Sequence, residues 1–412
     1  MPSSTAPEIV VTGIGVASGL GHGKDSLLEG LLAGRDVFSV LSRPGRQAPD
    51  GQTAFMGVEM PEPPDLLPKR VARTAGLGAR VAISVLDEAW REAGLDDVDP
   101  ERIGLVVGGS NLFSREQLLA VRDYANRLAF IPPRHGHVFM DSDVCGLCAA
   151  SFAIRAFANT VGAASASGAV AVIQAAEALL GGRVDACIAL GALQDVSYVD
   201  LLGFRALGAL GSEKFAGQPG RACRPFDAEH DGFLYGESCA ALILRRAGEA
   251  GPGYGSLVGA AQVADGQRGP EPDPEGQQRA IAGALAQAGL RAADIDYVNA
   301  HATSTPKGDE VERETLLAMG LEHAWVNAGK SILGHGLSAA GAVELAAVLL
   351  QMRAGRLHPI RNLEHPPEPG LRWVMGGPQT HRIRHALKLS FGFGGVDTAL
   401  VLRAPQGENY GL

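Results

Sequence analysis

The sequence predicts an α/β fold made of two similar halves, and three features of the chain carry this prediction. Short runs rich in β-branched residues alternate with longer apolar stretches of helical spacing, as strands and helices do in alternation. The stretch "SASGAVAVIQAAEALLGGR" at 165–183 is repeated as "SAAGAVELAAVLLQMRAGR" at 338–356, which indicates an internal duplication. With 412 residues, 46% of them apolar, the chain can bury a large core.

Each half is predicted to open and close with a strand and to contain one copy of the repeated stretch. Each copy begins with small residues, continues with apolar residues at helical spacing and ends at glycine, as a helix buried on most sides would. The turn-rich "RRAGEAGPGYG" places the boundary near residue 250, so that 1–250 and 251–412 form the two halves. Segments at roughly 40–75 and 110–145 are interpreted as insertions that cap one end of the sheets. The four flanking strands are "EIVVTGIGV", "ESCAALILRRA", "YGSLVGAAQVA" and "VDTALVLRA".

The charge of the chain limits its partners. A formal net charge of −9 argues against a general nucleic-acid binder, since such proteins need a basic surface to displace counterions from phosphates. The N-terminus "MPSSTAPEIVVTG" has no basic segment followed by an apolar run, and no stretch reaches about 18 uninterrupted apolar residues. We therefore expect a soluble, cytoplasmic protein with no membrane partner.

The five cysteines are too few and too scattered for a secreted disulfide framework, so reduced thiols are expected. Four potential zinc ligands lie within "HGHVFMDSDVCGLC", namely His135, His137, Cys145 and Cys148. Their order is not a standard zinc-finger spacing, and Cys148 leads into an apolar stretch where a buried thiol is common. We predict no metal site, and the zinc site remains the alternative interpretation.

Ser165 stands where the first repeated helix begins. A side chain at a helix N-terminus lies in the positive end of the helix dipole, with free backbone N–H groups nearby to hold an oxyanion. A thiol at this position would be acidified into a nucleophile, whereas a serine hydroxyl would need a dedicated base.

Two histidines occupy similar positions in the second half. In "DYVNAHATSTPKGDEVE" an apolar strand delivers His301 at its carboxyl end, where ligands commonly bind in α/β sheets. In "VNAGKSILGHGLSAAG" another strand leads to Lys330 and then to His335, which two flanking glycines leave open to close approach. Either histidine could instead be a core or capping residue, but their placement at the heads of helices favours a catalytic role.

Four motifs, taken together, resemble those of the β-ketoacyl-acyl-carrier-protein synthases of fatty-acid and polyketide assembly. They are "RACRPFDAEHDGFLYGESCAALIL", "VNAHATSTPKGDEVE", "KSILGHGLSAAGAVE" and "KLSFGFGGVD". The resemblance runs from "VVTGIGV" to "VDTALVLR", nearly the whole chain. It implies a thiolase-like duplicated α/β fold, layered α-β-α-β-α, with two mixed sheets and a buried helix layer.

The resemblance also implies roles for individual residues. In that family the position matching Ser165 is the cysteine that accepts the acyl chain, and the positions matching His301 and His335 hydrogen-bond the malonyl thioester carbonyl. Lys330 matches a lysine that supports the second of these histidines. Phe393 matches a gating aromatic in the glycine-rich loop.

The chain departs from the family pattern at the nucleophile and in the glycine-rich loop. Family members usually have Thr-Ala-Cys, Asn before the loop serine, and Thr-Asn after the loop, where this chain has Ala163-Ala164-Ser165, Leu389 and Val396-Asp397. Serine removes the thiolate that condensation needs, but both histidines remain to stabilise an enolate as carbon dioxide leaves. We therefore predict a ketosynthase-like decarboxylase that converts malonyl-acyl-carrier protein to acetyl-carrier protein, similar to serine-bearing relatives in polyketide β-branching cassettes.

Two alternatives stay open. In the first, Ser165 is acylated with a histidine as base, which would make the protein an acyltransferase or a serine-based condensing enzyme. In the second, the chain is a non-catalytic subunit similar to a chain-length factor. Retention of both histidines and the lysine argues against the second alternative.

The resemblance further implies partners. Lys69, Arg70 and Arg73 in "LLPKRVART" lie where the family meets its acidic carrier protein and are the predicted docking patch, although a solvated charged turn would look the same. A homodimer through the strand next to the nucleophile helix is expected, as is a pathway partner resembling hydroxymethylglutaryl-CoA synthase. We expect no cofactor beyond the phosphopantetheine arm of the carrier protein.

Overall fold

A computed structural model describes residues 8–405, apart from residues 53, 212, 250 and 252. The strands in this part of the chain are β1 (Ile9–Ser18), β2 (Gly21–His22), β3 (Ser39–Val40), β4 (Met56–Val58), β5 (Ile103–Gly108), β6 (Phe157–Val161), β7 (Ala186–Gly191), β8 (Tyr235–Gly236), β9 (Ser238–Arg246), β10 (Gly255–Ala264), β11 (Tyr297–Asn299), β12 (Trp325–Asn327), β13 (Arg356–Leu357), β14 (Arg372–Trp373), β15 (Gln379–Thr380), β16 (His385–Gly392) and β17 (Val396–Arg403). The α-helices are α1 (Lys24–Leu32), α2 (Lys69–Ala72), α3 (Leu77–Ala93), α4 (Ser114–Tyr124), α5 (His135–Val138), α6 (Ser142–Ser151), α7 (Ser167–Leu180), α8 (Tyr198–Ala206), α9 (Pro219–Ala222), α10 (Pro274–Ala288), α11 (Pro306–Ala318), α12 (Lys330–Leu333) and α13 (Ala340–Ala354).

The large mixed sheet repeats one pairing pattern on either side of its centre. From the centre outwards, the N-terminal half runs β1-β9-β7-β5-β6 and the C-terminal half runs β10-β17-β16-β11-β12. In each half the first two pairings are antiparallel and the next two are parallel. The predicted duplicated, mixed α/β fold is thereby confirmed. The two predicted sheets are joined into one 12-stranded sheet, because β1 and β10 pair antiparallel over three residues.

Helices cover and separate the two halves of the sheet. On the outside, α3 packs on β1 and β9, and α10 packs on β10 and β17. Between them, α7 packs on β5 and β7, while α13 packs on β9 and β16, and the two helices also pack on each other. This arrangement is the predicted buried helix layer.

The two repeated helices cross at a matched pair of glycines. A Cβ on Gly168 would lie 2.6 Å from the backbone nitrogen of Ala342, and one on Gly341 would lie 2.5 Å from that of Ala169. Any larger side chain would force the helices apart, so only glycine permits this backbone approach. The close crossing brings the N-terminal turns of both helices to one place in the molecule.

The second repeated helix and the turn before it form a long apolar segment. Leu337–Ala354 is long and apolar enough to cross a membrane by composition, but 89% of the segment is buried inside the protein. It is therefore a core helix, as the repeat predicted.

Candidate active site

Ser165 lies in a strained turn that aims it into a cavity. The turn Ala164–Ala166 is a 3₁₀ helix immediately before α7, and Ala164 has a φ of 45°, in the left-handed region that a residue with a Cβ rarely adopts. Ser167 closes the turn, since its hydroxyl accepts from the Ala163 N–H (2.8 Å) and donates to the Ala164 carbonyl (2.7 Å). The hydroxyl of the largely buried Ser165 is thus held at the head of the helix.

The same turn recurs at the start of α13, as the duplication predicts. Leu337–Ala339 is again a 3₁₀ turn, and Leu337 has a φ of 50°. Ser338 occupies the position that matches Ser165, and His335 comes just before the turn.

His335 donates a hydrogen bond to Ser165. The Leu337 backbone N–H donates to His335 Nδ1 at 3.3 Å, so Nδ1 is an acceptor and the ring proton lies on Nε2. His335 Nε2 is 2.8 Å from Ser165 Oγ. The serine oxygen accepts this bond, and this tautomer of His335 has no lone pair with which to remove the serine proton.

His301 is held by the backbone and by Lys330. Glu312 accepts the backbone N–H groups of His301 (2.6 Å) and Ala302 (2.7 Å), while Lys330 Nζ donates to the His301 carbonyl oxygen at 2.6 Å. Lys330 Nζ also lies 3.4 Å from His301 Nδ1. With Nδ1 facing an N–H donor, the ring proton of His301 lies on Nε2 as well.

The position of Lys330 corrects one prediction. The sequence led us to expect that this lysine supports His335, but its amino group contacts His301. The reason is that α12 starts at Lys330, directly after β12, which runs parallel to β11 and ends beside the strand that delivers His301. Lys330 acts on His335 only through its charge, which helps to lower the pKa of that ring.

Both histidines are neutral hydrogen-bond donors. Burial, followed by the charge of Lys330, holds the pKa of His301 and of His335 well below the usual 6.5. The two rings lie nearly perpendicular with their centroids 5.7 Å apart. This arrangement can present two N–H donors to one oxygen atom in the cavity.

This electrostatic state has a testable consequence. Because the pKa values are lowered, we expect both rings to stay neutral as the pH falls through 6.5, each with its proton on Nε2. Heteronuclear NMR of ¹⁵N-histidine-labelled protein measures the tautomer and charge of each ring. A protonation step near pH 6.5 in either ring would contradict this assignment.

A buried charge cluster lies behind the histidines. Glu344 ion-pairs through one oxygen with Lys330 and through the other with Lys388, at 3.1 Å for the second contact. Burial lowers the pKa of Lys388 to about 8. Glu344 and Lys388 lie in two of the motifs quoted above, but no role was predicted for them, although a glutamate inside the apolar run "AGAVELAAVLL" is a signal of a buried, paired charge.

A cavity of about 290 Å³ joins these groups, and its lining includes Ser165, His301, His335 and Phe393. Phe393 is 37% exposed in the glycine-rich loop, and its gating role stays a prediction. Phe391, for which no role was predicted from the sequence, also lines the cavity and packs edge-on against His301 with ring centroids 5.6 Å apart.

The predicted docking residues and the four residues weighed as zinc ligands lie outside the cavity lining. Lys69, Arg70 and Arg73 are exposed in and just after the short helix α2 and are not part of the cavity lining. Within the described ranges no cluster of three or more His, Cys, Asp or Glu side chains could hold a metal ion. Of the four weighed as zinc ligands, Cys145 contacts the Thr160 hydroxyl at 3.2 Å, and Cys148 is fully buried, which raises the pKa of its thiol.

Comparisons with known proteins agree with this geometry. Residues 6–250 match the family model described as Beta-ketoacyl synthase, N-terminal domain, and residues 254–364 match its C-terminal domain. The chain is 48% identical over 410 residues to the polyketide biosynthesis malonyl-ACP decarboxylase PksF of Bacillus subtilis (strain 168), with 98% of each chain covered. It is 32% identical over 405 residues to a 3-oxoacyl-[acyl-carrier-protein] synthase 2 of Mycobacterium tuberculosis, with 96% of each covered.

Solved structures show the same fold. A beta-ketoacyl synthase from Burkholderia phymatum STM815 superposes with a TM-score of 0.86 at 26% identity, covering 97% of this chain and 100% of that one. The type II polyketide ketosynthase AntDE, in complex with its acyl-carrier protein AntF, superposes with a TM-score of 0.84 at 26% identity and the same coverage.

Proposed function

The chain belongs to the β-ketoacyl synthase family, and we propose that it acts in that family as a decarboxylase of malonyl-acyl-carrier protein, with acetyl-carrier protein as its product. The observation that carries the proposal is the pair of neutral histidine Nε2–H donors on a cavity whose nucleophile position holds Ser165. The similarity to a malonyl-ACP decarboxylase over nearly the full length supports the same activity.

The histidines stabilise the enolate that decarboxylation creates. The malonyl thioester oxygen accepts from His301 Nε2 and, displacing the Ser165 hydroxyl from its hydrogen bond, from His335 Nε2. The bond from the central carbon to the carboxylate then breaks. Its electron pair passes into the thioester enolate, carbon dioxide leaves, and a proton from solvent completes the acetyl group. One preorganised donor of this kind contributes about 3 kcal/mol to transition-state stabilisation, so two donors supply much of the catalysis.

Ser165 does not serve this chemistry as an acyl acceptor. A serine nucleophile needs a base, but the proton on His335 Nε2 points at its oxygen and the Leu337 N–H occupies His335 Nδ1. This geometry disfavours the serine acyltransferase and condensing alternatives. With no acyl group on the enzyme, the enolate has no thioester to attack.

The charges around the cavity also favour loss of the carboxylate. Among the described residues that line it there is no lysine or arginine, whereas Asp265, Glu271 and Asp397 are present. A malonyl carboxylate in this cavity therefore gains no ion pair, and an ion pair would stabilise the group that has to leave.

The proposal is tested with purified protein and a malonyl-pantetheine thioester, by measuring carbon dioxide release and the thioester product together. We expect carbon dioxide and acetyl-pantetheine in equal amounts. Malonate and free thiol would mean hydrolysis and would contradict the proposal.

Lys69, Arg70 and Arg73 are proposed as the docking patch for the acidic carrier protein. The exposure of all three side chains on and beside α2 supports this role, since a cluster of exposed positive charges complements an acidic partner. Arg73→Glu should raise KM for malonyl-carrier protein about threefold to tenfold while leaving KM for malonyl-pantetheine unchanged. Steady-state kinetics measures both values, and the same reversal at the exposed Arg356 on β13 is the matched control. Equal changes in KM with both substrates would show that these basic residues do not bind the carrier protein.

We further propose a homodimer formed through β6. This strand ends the sheet with one edge unpaired among the described residues, and its side chains are only partly covered. Exposed apolar side chains lie in the segment that precedes α6, including Leu128, Phe130, Phe139 and Met140. Sedimentation equilibrium of the purified protein measures the oligomeric state.

The product fits a role in polyketide β-branching, where an enzyme resembling hydroxymethylglutaryl-CoA synthase would consume acetyl-carrier protein. We propose that the phosphopantetheine arm of the carrier protein is the only prosthetic group involved, since the reaction needs only the N–H donors described above. The unpaired state of all five cysteines supports a reducing compartment such as the cytoplasm.

A further inference from the structure

Gln194 lies on the cavity wall close to the catalytic turn. It follows β7 at the carboxyl end of that strand, and it lines the cavity together with Ser165 and His335. The Tyr235 hydroxyl donates to the Gln194 carbonyl oxygen at 2.7 Å, which fixes the backbone at this position. No role for Gln194 follows from the enolate chemistry described above.

The neighbouring residue anchors Gln194 from behind. Asp195 is fully buried and accepts hydrogen bonds from Arg46 and from Arg115, each at 2.8 Å. Such a buried network resists movement, because each of its charged groups would lose its partner on moving. The backbone that carries the Gln194 side chain is therefore rigid.

The side-chain amide of Gln194 has a fixed direction. Ser338, the repeat equivalent of Ser165, donates from its hydroxyl to Gln194 Oε1 at 2.6 Å. The amide nitrogen has no hydrogen-bond acceptor among the residues that the structure describes, and it is not sealed off from the cavity. Gln194 therefore presents a preorganised N–H₂ group to whatever occupies the cavity.

Apolar side chains form part of the cavity lining to which Gln194 belongs. Phe204, Phe233 and Leu337 line the same cavity, and the Phe233 ring packs edge-on against His335 with centroids 5.2 Å apart. A hydrogen-bond donor among such groups interacts strongly with an acceptor, because little water competes for it.

We propose that the Gln194 side-chain amide binds the carboxylate of the malonyl group. This inference rests on the proposed decarboxylase function and adds a substrate-binding residue to it. With the thioester oxygen on the two histidines, one malonyl carboxylate oxygen accepts from Gln194 Nε2. The carboxylate is then held at a fixed angle to the thioester plane, and the bond that breaks can align with the carbonyl π system.

A neutral amide suits this task better than a charged group. A lysine or arginine would bind the carboxylate more tightly in the ground state than in the transition state, where its charge moves onto the thioester oxygen. The amide orients the carboxylate and opposes its departure less.

Two substitutions separate substrate binding from a packing role. Gln194→Glu keeps the shape and leaves an oxygen to accept from Ser338, but it turns a carboxylate towards the cavity. Gln194→Leu removes the donor without adding charge. We expect kcat/KM for malonyl-pantetheine to fall about 10- to 100-fold in Gln194→Leu and further in Gln194→Glu. If Gln194 only packed, the isosteric glutamate would be the milder change, and that order would overturn the proposal.

A binding measurement that involves no turnover keeps this test separate from the proposed function. Sulfoacetyl-pantetheine amide carries a sulfonate that cannot leave as carbon dioxide, and acetyl-pantetheine amide carries no acid group. Calorimetry should show that the wild type prefers the sulfonate ligand, that Gln194→Leu loses this preference and that Gln194→Glu reverses it, with binding of the acetyl ligand within about twofold throughout.

The possible failures are distinguishable. A wild type that releases no carbon dioxide from malonyl-pantetheine contradicts the decarboxylase function. A wild type that decarboxylates, together with variants that keep the preference for the sulfonate ligand, contradicts the role of Gln194 alone.

Discussion

Replacement of His335 by alanine should lower decarboxylation of malonyl-carrier protein by about 100- to 1,000-fold, the effect expected when one preorganised donor to a developing oxyanion is removed. The loss should appear in kcat, because His335 Nε2 donates more strongly to the enolate oxygen than to the thioester oxygen of the substrate. His301→Ala should behave alike, since its Nε2–H faces the same cavity.

The control for this variant is a histidine outside the cavity whose ring makes a single hydrogen bond. His323 lies outside the cavity lining, and its Nε2 is 3.1 Å from the Ile295 carbonyl oxygen. His323→Ala should keep kcat within about twofold of the wild type. Full activity in His335→Ala, measured by quenched-flow or steady-state carbon dioxide release, would contradict the two-donor mechanism.

Glu344→Gln should lower the free energy of unfolding by about 3–5 kcal/mol, because it leaves Lys330 and Lys388 in the core without the carboxylate between them. The matched control is Glu310→Gln, which removes the exposed ion pair with Lys307 on α11 and should change the free energy by less than about 1 kcal/mol.

Guanidinium titration of both variants measures the two free energies. Similar midpoints and slopes for Glu344→Gln and Glu310→Gln would show that the buried cluster does not stabilise the fold as described. Glu344→Gln should also lower the decarboxylation activity of the folded protein, because Glu344 positions Lys330 and Lys330 holds the His301 carbonyl and ring.

The sequence predicted the three central side chains because each stands next to a strong local signal. Ser165 begins the first copy of the repeat, His335 comes shortly before the second copy, and His301 follows a short apolar strand. The two turns before these helices are also alike, since Ala164 and Leu337 both have a positive φ.

The partners of these side chains could not be predicted in the same way. The contact between Lys330 and His301 depends on how β11 and β12 lie side by side, and Lys388 reaches Glu344 from a third strand. Such contacts join residues far apart in the chain, so no spacing within one motif indicates them. Gln194 was missed for the same reason, since its direction is set by Ser338 on the other repeat.

Leu389 and Asp397 are two residues at the glycine-rich loop that differ from the usual family sequence, and they have different surroundings. Leu389 is fully buried in the core of the second half, and nothing in the structure explains why it replaces asparagine. Asp397 lies on the cavity wall, where burial together with Asp265 and Asp273 raises the pKa of its carboxyl to about 7.

Intact-mass spectrometry of one mixture tests most directly whether the enzyme decarboxylates without condensing. The mixture contains the enzyme, malonyl-carrier protein and a carrier protein loaded with a longer acyl chain. We predict that malonyl-carrier protein becomes acetyl-carrier protein, while the carrier protein loaded with a longer acyl chain and the mass of the enzyme stay unchanged. A β-ketoacyl-carrier protein, or an acyl group on Ser165, would contradict it, because either product requires this serine to act as the acyl acceptor.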